Sequence, residues 1–551
     1  MKKVFVLILT VILSLFSFAG CGNAETETVL RICNCEDYID ESILSVFEEK
    51  YNVKIEYSTF GTLENLYNDI IITPDRYDLI CPSDYMIEKM AKEGMLQKIS
   101  FSEDGNYNTY VSPYIKEMFE KITWNDGQDS LADYAGCYMW GTLGLVYNPE
   151  YVDHEDMKSW ASLWSEKYRT QSTIKDSIRD SIFMGMAYAN KAELDMLSLK
   201  LKNGEIDVAA YNGRLSEIFN DTKPESIEKV EQCLKDLKKN IYGFEVDSGK
   251  NDVASGKINI NFAWSGDAVY AMDQAEEQGV ELYYSVPEEG SNVWFDGWCV
   301  PKSSKQADLA VKFIEFLSDP EIACVNMEYI GYTSGLGGER MFENAIDWYG
   351  VSSLVESEIT YAEYEALVEE AKNDEEKAAE LEEFLETYVI LENDKKIYES
   401  VYVGDSVTET DEGCFVTVSY YDEESDAVVP EEIKVYKVDL GYFFGEGEYV
   451  LYTDTLGRQF SAQYPTEDVI NRCVVMNCYD EEANARITLS WERVKGTTLS
   501  AAWIIVISVI IVILLAVGIM YRFKVKLFTR NYDNVKKKES KYKVIKVEKL
   551  N

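Results

Sequence analysis

Histidine is almost absent from this chain, since His154 is the only one among 551 residues. No cluster of cysteine and acidic residues has the spacing of metal ligands, and no nucleophile stands beside a base. These absences argue against histidine-dependent catalysis and Cys/His zinc sites. The sequence therefore predicts a protein that is not an enzyme and that holds no metal or other cofactor.

Positive charge is scarce as well. The chain has 53 lysines and arginines against 98 aspartates and glutamates, which gives a formal net charge of −45 at pH 7. This balance argues against nucleic acid as a partner and attracts cationic ligands over distance. An acidic surface also keeps a protein soluble, so the charge alone leaves the ligand open. With 46% hydrophobic residues, the chain is globular and has room for two or three domains.

The N-terminus is typical of a secretory signal. Two lysines follow Met1, an apolar run extends from Val4 to Phe18, and Ala19-Gly20-Cys21 comes next. A cysteine directly after Ala-Gly resembles the lipobox of bacterial lipoproteins, in which the thiol receives diacylglycerol. We predict a signal peptide over residues 1–20, lipidation at Cys21 and a tether over residues 21–28. Ordinary signal cleavage near Ala24 is the alternative.

A second membrane signal lies near the other end. Residues 499–521 carry no charge and are long enough to cross a bilayer, with Trp503 and Tyr521 placed as interfacial anchors. Residues 522–551 are rich in lysine and arginine. By the positive-inside rule, we predict a transmembrane helix over 499–521, a cytoplasmic tail over 522–551 and an extracellular or periplasmic binding domain at the cell membrane. A buried core helix is the alternative.

Eleven cysteines in an exported chain could form disulfides. Most of them, such as Cys81 and Cys299, stand singly in apolar, strand-like runs, as small hydrophobic residues do.

Strand-like and helical segments alternate from Val29 onwards. Val29–Cys33, Val53–Tyr57 and Tyr77–Cys81 have the composition of strands, and helical patterns separate them. This alternation predicts an open α/β sheet, in which ligands bind beyond the carboxyl ends of strands. Asn34–Tyr38 and Ser83–Tyr85 follow two such strands, so we expect ligand contacts there.

One carboxylate, Asp296, stands among the aromatic side chains of Trp294, Phe295 and Trp298 on a predicted buried strand. A lone aspartate in such surroundings is costly to desolvate without a partner. Either it finds a donor within the protein, or it faces a cleft and binds a cation. An aromatic ring beside a carboxylate suits an ammonium group. This segment alone leaves both interpretations open.

An ordered set of short motifs carries a family resemblance. The set comprises Asn34 to Tyr38, Pro82-Ser83-x-Tyr85, Lys92-Glu93-Gly94-Met95, Tyr138-x-Trp140-Gly141, Ser159-Trp160-x-x-Leu163-Trp164, Ala263-Trp264-x-Gly266, Trp294-x-Asp296 and Ile330-Gly331-Tyr332. In this order, the motifs resemble the spermidine/putrescine-binding proteins that feed bacterial ABC importers. The resemblance covers about residues 29–340 and resumes from about Asp439 to Lys495.

The resemblance implies an α/β fold of the two-lobed, periplasmic-binding-protein-like kind (type II). Its hinge is expected where the chain crosses near Gly141–Tyr147 and again near Asp296. The poorly covered residues 349–438 are predicted as an insertion, with an acidic helix over 356–388 and strands over Cys414–Tyr421 and Glu432–Val438. The predicted body therefore precedes one C-terminal transmembrane helix, and its lobes are 29–143 with 296–340, and 144–295 with 341–498.

Position by position, the resemblance also implies a ligand-binding set of aromatic, hydroxyl and acidic side chains. Asp180 stands where the family has a glutamate for the far ammonium. Cys35 replaces a tryptophan of the family, Ser177 replaces an aspartate, and Met476 aligns with a glutamine that touches ligand. Glu36 replaces a threonine. These departures leave open which polyamine binds. The predicted set is Glu36, Tyr38, Ser83, Tyr85, Asp180, Trp264, Trp294, Asp296 and Tyr332.

We therefore predict the solute-binding component of an ABC importer. It would capture putrescine or spermidine between aromatic rings and acids, close around the ligand, and deliver it to the permease and ATPase complex. Two alternatives stay open. One is a membrane-tethered sensor that passes a signal through residues 499–521, and the other is the same transport role for a different organic cation.

Overall fold

A computed structural model describes residues 28–348, 401–402, 407–410, 413–422, 427–445, 449–453, 457–496, 509 and 514–515. The chain forms two compact units, Met1–Trp491 and Glu492–Asn551, and all of the described strands belong to the first.

Several predictions about the termini and the insertion fall outside this part of the chain. The signal peptide, Cys21, the acidic stretch 356–388 and nearly all of residues 499–551 lie there. Within the described residues, no helix combines the length and apolar character that crossing a bilayer requires.

Eighteen strands are described. They are β1 Val29–Cys35, β2 Lys54–Phe60, β3 Leu79–Ile80, β4 Thr123–Trp124, β5 Asp129–Ser130, β6 Ala135–Tyr147, β7 Ser172–Lys175, β8 Gly243–Glu245, β9 Ile260–Trp264, β10 Tyr283–Ser285, β11 Ser291–Cys299, β12 Thr333–Ser334, β13 Val401–Tyr402, β14 Val407–Thr410, β15 Gly413–Asp422, β16 Ala427–Asp439, β17 Val450–Thr453 and β18 Cys473–Val474.

The helices of the described residues precede, separate and follow these strands. They are α1 Glu41–Tyr51, α2 Leu63–Ile72, α3 Asp84–Lys92, α4 Asn106–Tyr110, α5 Pro113–Lys121, α6 Ile178–Ala189, α7 Lys191–Lys202, α8 Val208–Phe219, α9 Pro224–Leu237, α10 Gly249–Ala254, α11 Ser265–Glu276, α12 Ala307–Leu317, α13 Pro320–Ile330, α14 Glu339–Trp348, α15 Gly441–Phe444, α16 Arg458–Gln463, α17 Glu467–Ile470 and α18 Glu481–Lys495.

Local sequence signals set many of the helix ends. Asp40 caps α1, where its carboxylate accepts the backbone N–H of Ser42, and Ser177 caps α6 by accepting that of Asp180. The composition of Tyr329–Ser334 predicts a loop, and this prediction is wrong in part. Tyr329 and Ile330 form the end of α13, and Gly331, with a φ of 72°, provides the left-handed C-cap.

Eleven strands form the main sheet, in the order β2-β1-β3-β11-β6-β9-β7-β8, with β10 and β12 added to β6 and β18 added to β11. The pairs β1–β2, β1–β3, β7–β8 and β7–β9 are parallel, whereas β6 runs antiparallel to both β11 and β9. Parallel strands separated by helices confirm the predicted α/β class.

The long, fully buried strand β6 belongs to both halves of this sheet. Its residues up to Thr142 pair with β11, and its residues from Leu143 pair with β9. The crossing predicted near Gly141–Tyr147 falls within this strand, at the point where its partner changes from β11 to β9. The antiparallel neighbour β11, which carries Asp296, lies against the first part of this strand.

Strands of the predicted insertion, β13 to β16, form a separate five-stranded sheet together with the later strand β17, in the order β13-β17-β16-β15-β14. The predicted strands over Cys414–Tyr421 and Glu432–Val438 are confirmed as parts of β15 and β16. The chain then returns to the main body, where the hydroxyl of Ser112 donates to the carbonyl of Phe443 at 2.6 Å. The lobe boundaries given above stay predictions.

The i to i+4 spacing of Trp160 and Trp164 predicts that both pack in the core, and most cysteines are predicted to pack as small hydrophobic residues. The structure agrees with both predictions. Trp160 is buried in a short 3-10 helix and its indole N–H donates to the carbonyl of Gly290 at 2.9 Å. Trp164 stacks on Tyr188 with ring centroids 3.8 Å apart. Every cysteine in the described part of the chain is a free thiol.

Candidate functional site

Asp296 lies at an irregularity of strand β11. The pairing with β6 shifts register between Asp296 and Gly297, and bulges of this kind redirect a side chain. One carboxylate oxygen accepts a hydrogen bond from the hydroxyl of Tyr38 at 2.7 Å, and the other accepts one from the hydroxyl of Ser83 at 2.6 Å. Both donors follow strands of the sheet, where the sequence predicted ligand contacts. Among the described residues, no lysine or arginine forms an ion pair with Asp296.

Desolvation dominates the electrostatics of this carboxylate. Burial raises the pKa of Asp296 to about 6, although the hydrogen bonds from Ser83 and Tyr38 act in the opposite direction. The negative charge of Asp180 raises this pKa further, so the two acids lie close enough to repel each other. Burial also raises the pKa of Asp180, against the effect of its hydrogen bond with Ser177. A bound cation would relieve both carboxylates.

Aromatic rings line up beside the carboxylate. Tyr332 meets Tyr38 edge to face, with centroids 5.0 Å apart, and lies 5.8 Å from Trp294. Tyr38 is fixed through its backbone carbonyl, which accepts from the side chain of Asn34 at 3.1 Å and from the hydroxyl of Tyr138 at 2.7 Å. The rings of Tyr38, Tyr332 and Trp294 therefore form one cluster next to Asp296.

Gly266 makes room for this cluster. A Cβ atom at Gly266 would overlap the ring of Tyr332, since the ring lies directly on the glycine backbone. The Ala263-Trp264-x-Gly266 motif thus has a packing reason for its glycine.

We expect Gly266→Ala to lower the free energy of unfolding by about 1–3 kcal/mol, because the added methyl group displaces the Tyr332 ring. Gly213→Ala is the matched control. Gly213 is also helical, nothing lies within 4 Å of the place that an added methyl group would take, and alanine favours a helix. Urea unfolding measures both variants. Equal stabilities for Gly266→Ala and Gly213→Ala would contradict the close approach of Tyr332.

A buried ion cluster of Lys175, Asp267 and Glu245 adjoins the ring of Tyr332. The hydroxyl of Tyr332 donates to Asp267 at 2.8 Å, and the ammonium of Lys175 lies 2.8 Å from the second oxygen of that carboxylate. Lys175 also lies 3.2 Å from Glu245, and its nitrogen is 4.2 Å from the centroid of the Trp264 ring. Burial alone would raise the pKa of Asp267, but the nearby lysines outweigh burial and lower it.

Arg179 forms a third feature that the sequence motifs did not predict. Its guanidinium carbon lies 4.2 Å from the Tyr85 ring centroid and 3.9 Å from that of Tyr479, and one nitrogen donates to the carbonyl of Asn477 at 2.5 Å. Tyr85, which was predicted to contact ligand, thus packs on a cation of the protein. The sequence did contain a signal for Arg179, because this residue directly precedes the predicted site residue Asp180 in the first turn of α6.

The structure brings together most of the predicted set but not all of it. The cluster described above contains Tyr38, Ser83, Trp294, Asp296 and Tyr332. Asp180 adjoins it through its charge, whereas Trp264 contacts Lys175 and Tyr85 contacts Arg179. Glu36 is exposed, and no hydrogen bond within the described part of the chain joins it to Asp296. Asp84, Asp267, Lys175 and Arg179 were missed. Asp84 is buried behind Asp296, with a pKa raised by burial to about 8.

A two-lobed α/β body that holds aromatic rings beside an acid, one without an ion-pair partner among the described residues, defines the class of periplasmic-type binding proteins. The family of bacterial extracellular solute-binding proteins matches residues 43–337, which is more than half of the chain. The chain therefore belongs to this family. The family confirms the prediction of a binding protein rather than an enzyme.

Individual relatives agree with the family. A spermidine/putrescine-binding periplasmic protein of Salmonella typhimurium is 29% identical over 324 residues, which are 58% of this chain and 82% of that protein. A putrescine-binding periplasmic protein of Pseudomonas aeruginosa is 25% identical over 326 residues, 58% of this chain and 81% of that protein. These relatives confirm the resemblance that the motifs predicted.

A solved structure from Listeria monocytogenes, named provisionally as a spermidine/putrescine ABC transporter, is similar with a TM-score of 0.53 and 21% identity. The similarity covers 85% of this chain and 99% of that one. It confirms the two-lobed fold.

Proposed function

We propose that this protein is the solute-binding component of an ABC importer and that it captures polyamines, putrescine or spermidine, at Asp296. The observation that carries the proposal is a desolvated carboxylate whose partners are the two hydroxyls of Tyr38 and Ser83. Hydroxyl donors orient a carboxylate but leave its charge uncompensated. An ammonium group supplies the missing charge.

The chemistry around Asp296 fits the rest of a polyamine. Its ammonium would form a charge-assisted hydrogen bond worth about 1.5–3 kcal/mol, and each ring that it faces would add about 0.5–2 kcal/mol. Trp294 and Tyr332 offer flat surfaces to the methylene chain. Three or four such contacts, less the cost of ordering the ligand, approach the roughly 8 kcal/mol of a micromolar site.

Closure of the lobes would couple binding to delivery. Tyr38 and Ser83 follow β1 and β3, and Asp296 lies on β11. Asp180, in contrast, comes from the helix after β7. A ligand that contacts both sides stabilises the closed form, which the permease and ATPase complex would recognise. The names of the relatives support this role in transport.

The proposal includes the cell-surface placement predicted from the sequence. A lipid on Cys21 and a transmembrane helix over residues 499–521 would hold the binding domain outside the cell, with residues 522–551 in the cytoplasm. The lobes are proposed with the boundaries predicted above.

Calorimetric titration of the full-length chain, purified in detergent at pH 7.5, tests the proposed function. We expect putrescine or spermidine to bind with micromolar affinity, at about 8 kcal/mol. Butanediol, which has the same carbon chain as putrescine but no ammonium groups, serves as the uncharged control and should give no heat of binding. Folded protein that gives no heat with either amine would contradict the proposal.

A further inference from the structure

Lys175 is the most deeply buried cation in the candidate site. Its side chain is 1% exposed, and the carboxylates of Asp267 and Glu245 that it pairs with are each 3% exposed. A buried ion pair is retained only with good geometry and additional hydrogen bonds. Those bonds are present, since Tyr332 donates to Asp267 and the backbone N–H of Gly249 donates to Glu245 at 2.9 Å.

The surroundings of the Lys175 ammonium have the composition of an ammonium-binding site. Two carboxylates lie within 3.2 Å, and the face of the Trp264 ring lies 4.2 Å away. Carboxylates and an indole face are the groups that recognise an alkylammonium ligand. The cluster is also continuous with the Asp296 cluster, because Tyr332 contacts Asp267 through its hydroxyl and Tyr38 through its ring.

We propose that the ammonium of Lys175 occupies the place that a further ammonium of the ligand would take. Lys175 thereby determines which polyamine binds. The inference rests on the proposed function. Lys175 and Lys250, whose ammonium lies 3.7 Å from Asp267, neutralise Asp267 and Glu245 from within, so the cation-binding capacity of the candidate site is confined to Asp296 and Asp180. The protein therefore favours a diamine over a triamine.

The direct test compares putrescine and spermidine by calorimetry in full-length wild type and in Lys175→Met. Methionine keeps the volume of the lysine stem and removes its charge. We expect wild type to bind putrescine more tightly. In the variant, we expect the affinity ratio to shift towards spermidine by about tenfold or more, since Glu245 loses its ammonium partner and Asp267 retains Lys250 at 3.7 Å.

Two further variants serve as controls. Lys191→Met also removes an ammonium from a buried carboxylate, Glu289 at 3.0 Å, but outside the Asp296 and Lys175 clusters, and should keep the wild-type ratio. The double variant Lys175→Met/Asp267→Asn removes charge from both partners and should gain little spermidine affinity.

A second measurement applies if Lys175→Met does not fold. Methylammonium, added at millimolar concentration to Lys175→Ala, should raise its unfolding temperature and leave that of wild type unchanged, because it refills the vacated position. An unchanged amine ratio in folded Lys175→Met, or no rescue of Lys175→Ala, would overturn the role of Lys175 while putrescine binding by wild type upholds the proposed function. No polyamine binding by wild type would overturn the proposed function itself.

Discussion

Asp296→Asn should weaken putrescine binding by roughly a hundredfold, which corresponds to the loss of one charge-assisted hydrogen bond. Asparagine keeps the shape of the side chain and can still accept from Tyr38 or Ser83, but it offers no charge to an ammonium. Isothermal calorimetry at pH 7.5 measures the loss. The unliganded variant should unfold at the wild-type temperature or above it, because burial makes the ionised carboxylate unfavourable.

Asp273→Asn is the matched control for this substitution. Although Asp273 is exposed, desolvation by its neighbours raises its pKa to about 6, and its carboxylate accepts from Gln459 rather than from the Tyr38 and Ser83 hydroxyls. We expect wild-type affinity in this variant. If Asp273→Asn and Asp296→Asn lose affinity equally, a general charge effect and not the Asp296 site would govern binding.

Affinity should fall steeply with acidification. An ammonium binds the ionised carboxylate, whereas alkylamines stay protonated well above neutral pH. Because the pKa of Asp296 in the unliganded protein is raised to about 6, protonation competes with the ligand below this pH and has little effect above pH 7. The expected loss between pH 7.5 and pH 4.5 is roughly thirtyfold for one linked proton.

Calorimetry in two buffers of different ionisation enthalpy detects the linked proton directly. At pH 5, ligand binding should release about one proton, and at pH 8 it should release almost none. The raised pKa of Asp180 would steepen the profile further. Asp273→Asn should keep the whole profile although it lacks a carboxyl group with a similar pKa. A flat affinity between pH 5 and pH 8 would exclude the carboxylate as the ammonium partner.

Local patterns in the sequence predicted the elements that depend on neighbouring residues. Asp40 before an apolar periodic run predicts a helix start, because a side-chain oxygen next to a helix accepts an N–H two or three residues on, and α1 confirms it. The apolar run Tyr138–Asn148 predicts a long strand that could pass between domains, and the buried strand β6 confirms the strand. The end of α13 was missed because Ile330-Gly331-Tyr332 has the composition of a loop, although its glycine terminates a helix.

Contacts between distant residues could not be derived in the same way. Tyr38 and Asp296 are separated by 258 positions, and Lys175 and Asp267 by 92. The motif set predicts that Tyr38 and Asp296 both face a ligand, but it did not predict the hydrogen bond between them. Lys175 was missed because a lysine at the end of a strand gives no sign of the two acids that surround it after folding.

The crystal structure of the protein with putrescine tests the central claim most directly. We predict one ammonium nitrogen within about 3 Å of an Asp296 carboxylate oxygen, with the methylene chain against the rings of Trp294 and Tyr332. Putrescine bound elsewhere, with Asp296 still contacted only by Tyr38 and Ser83, would contradict it.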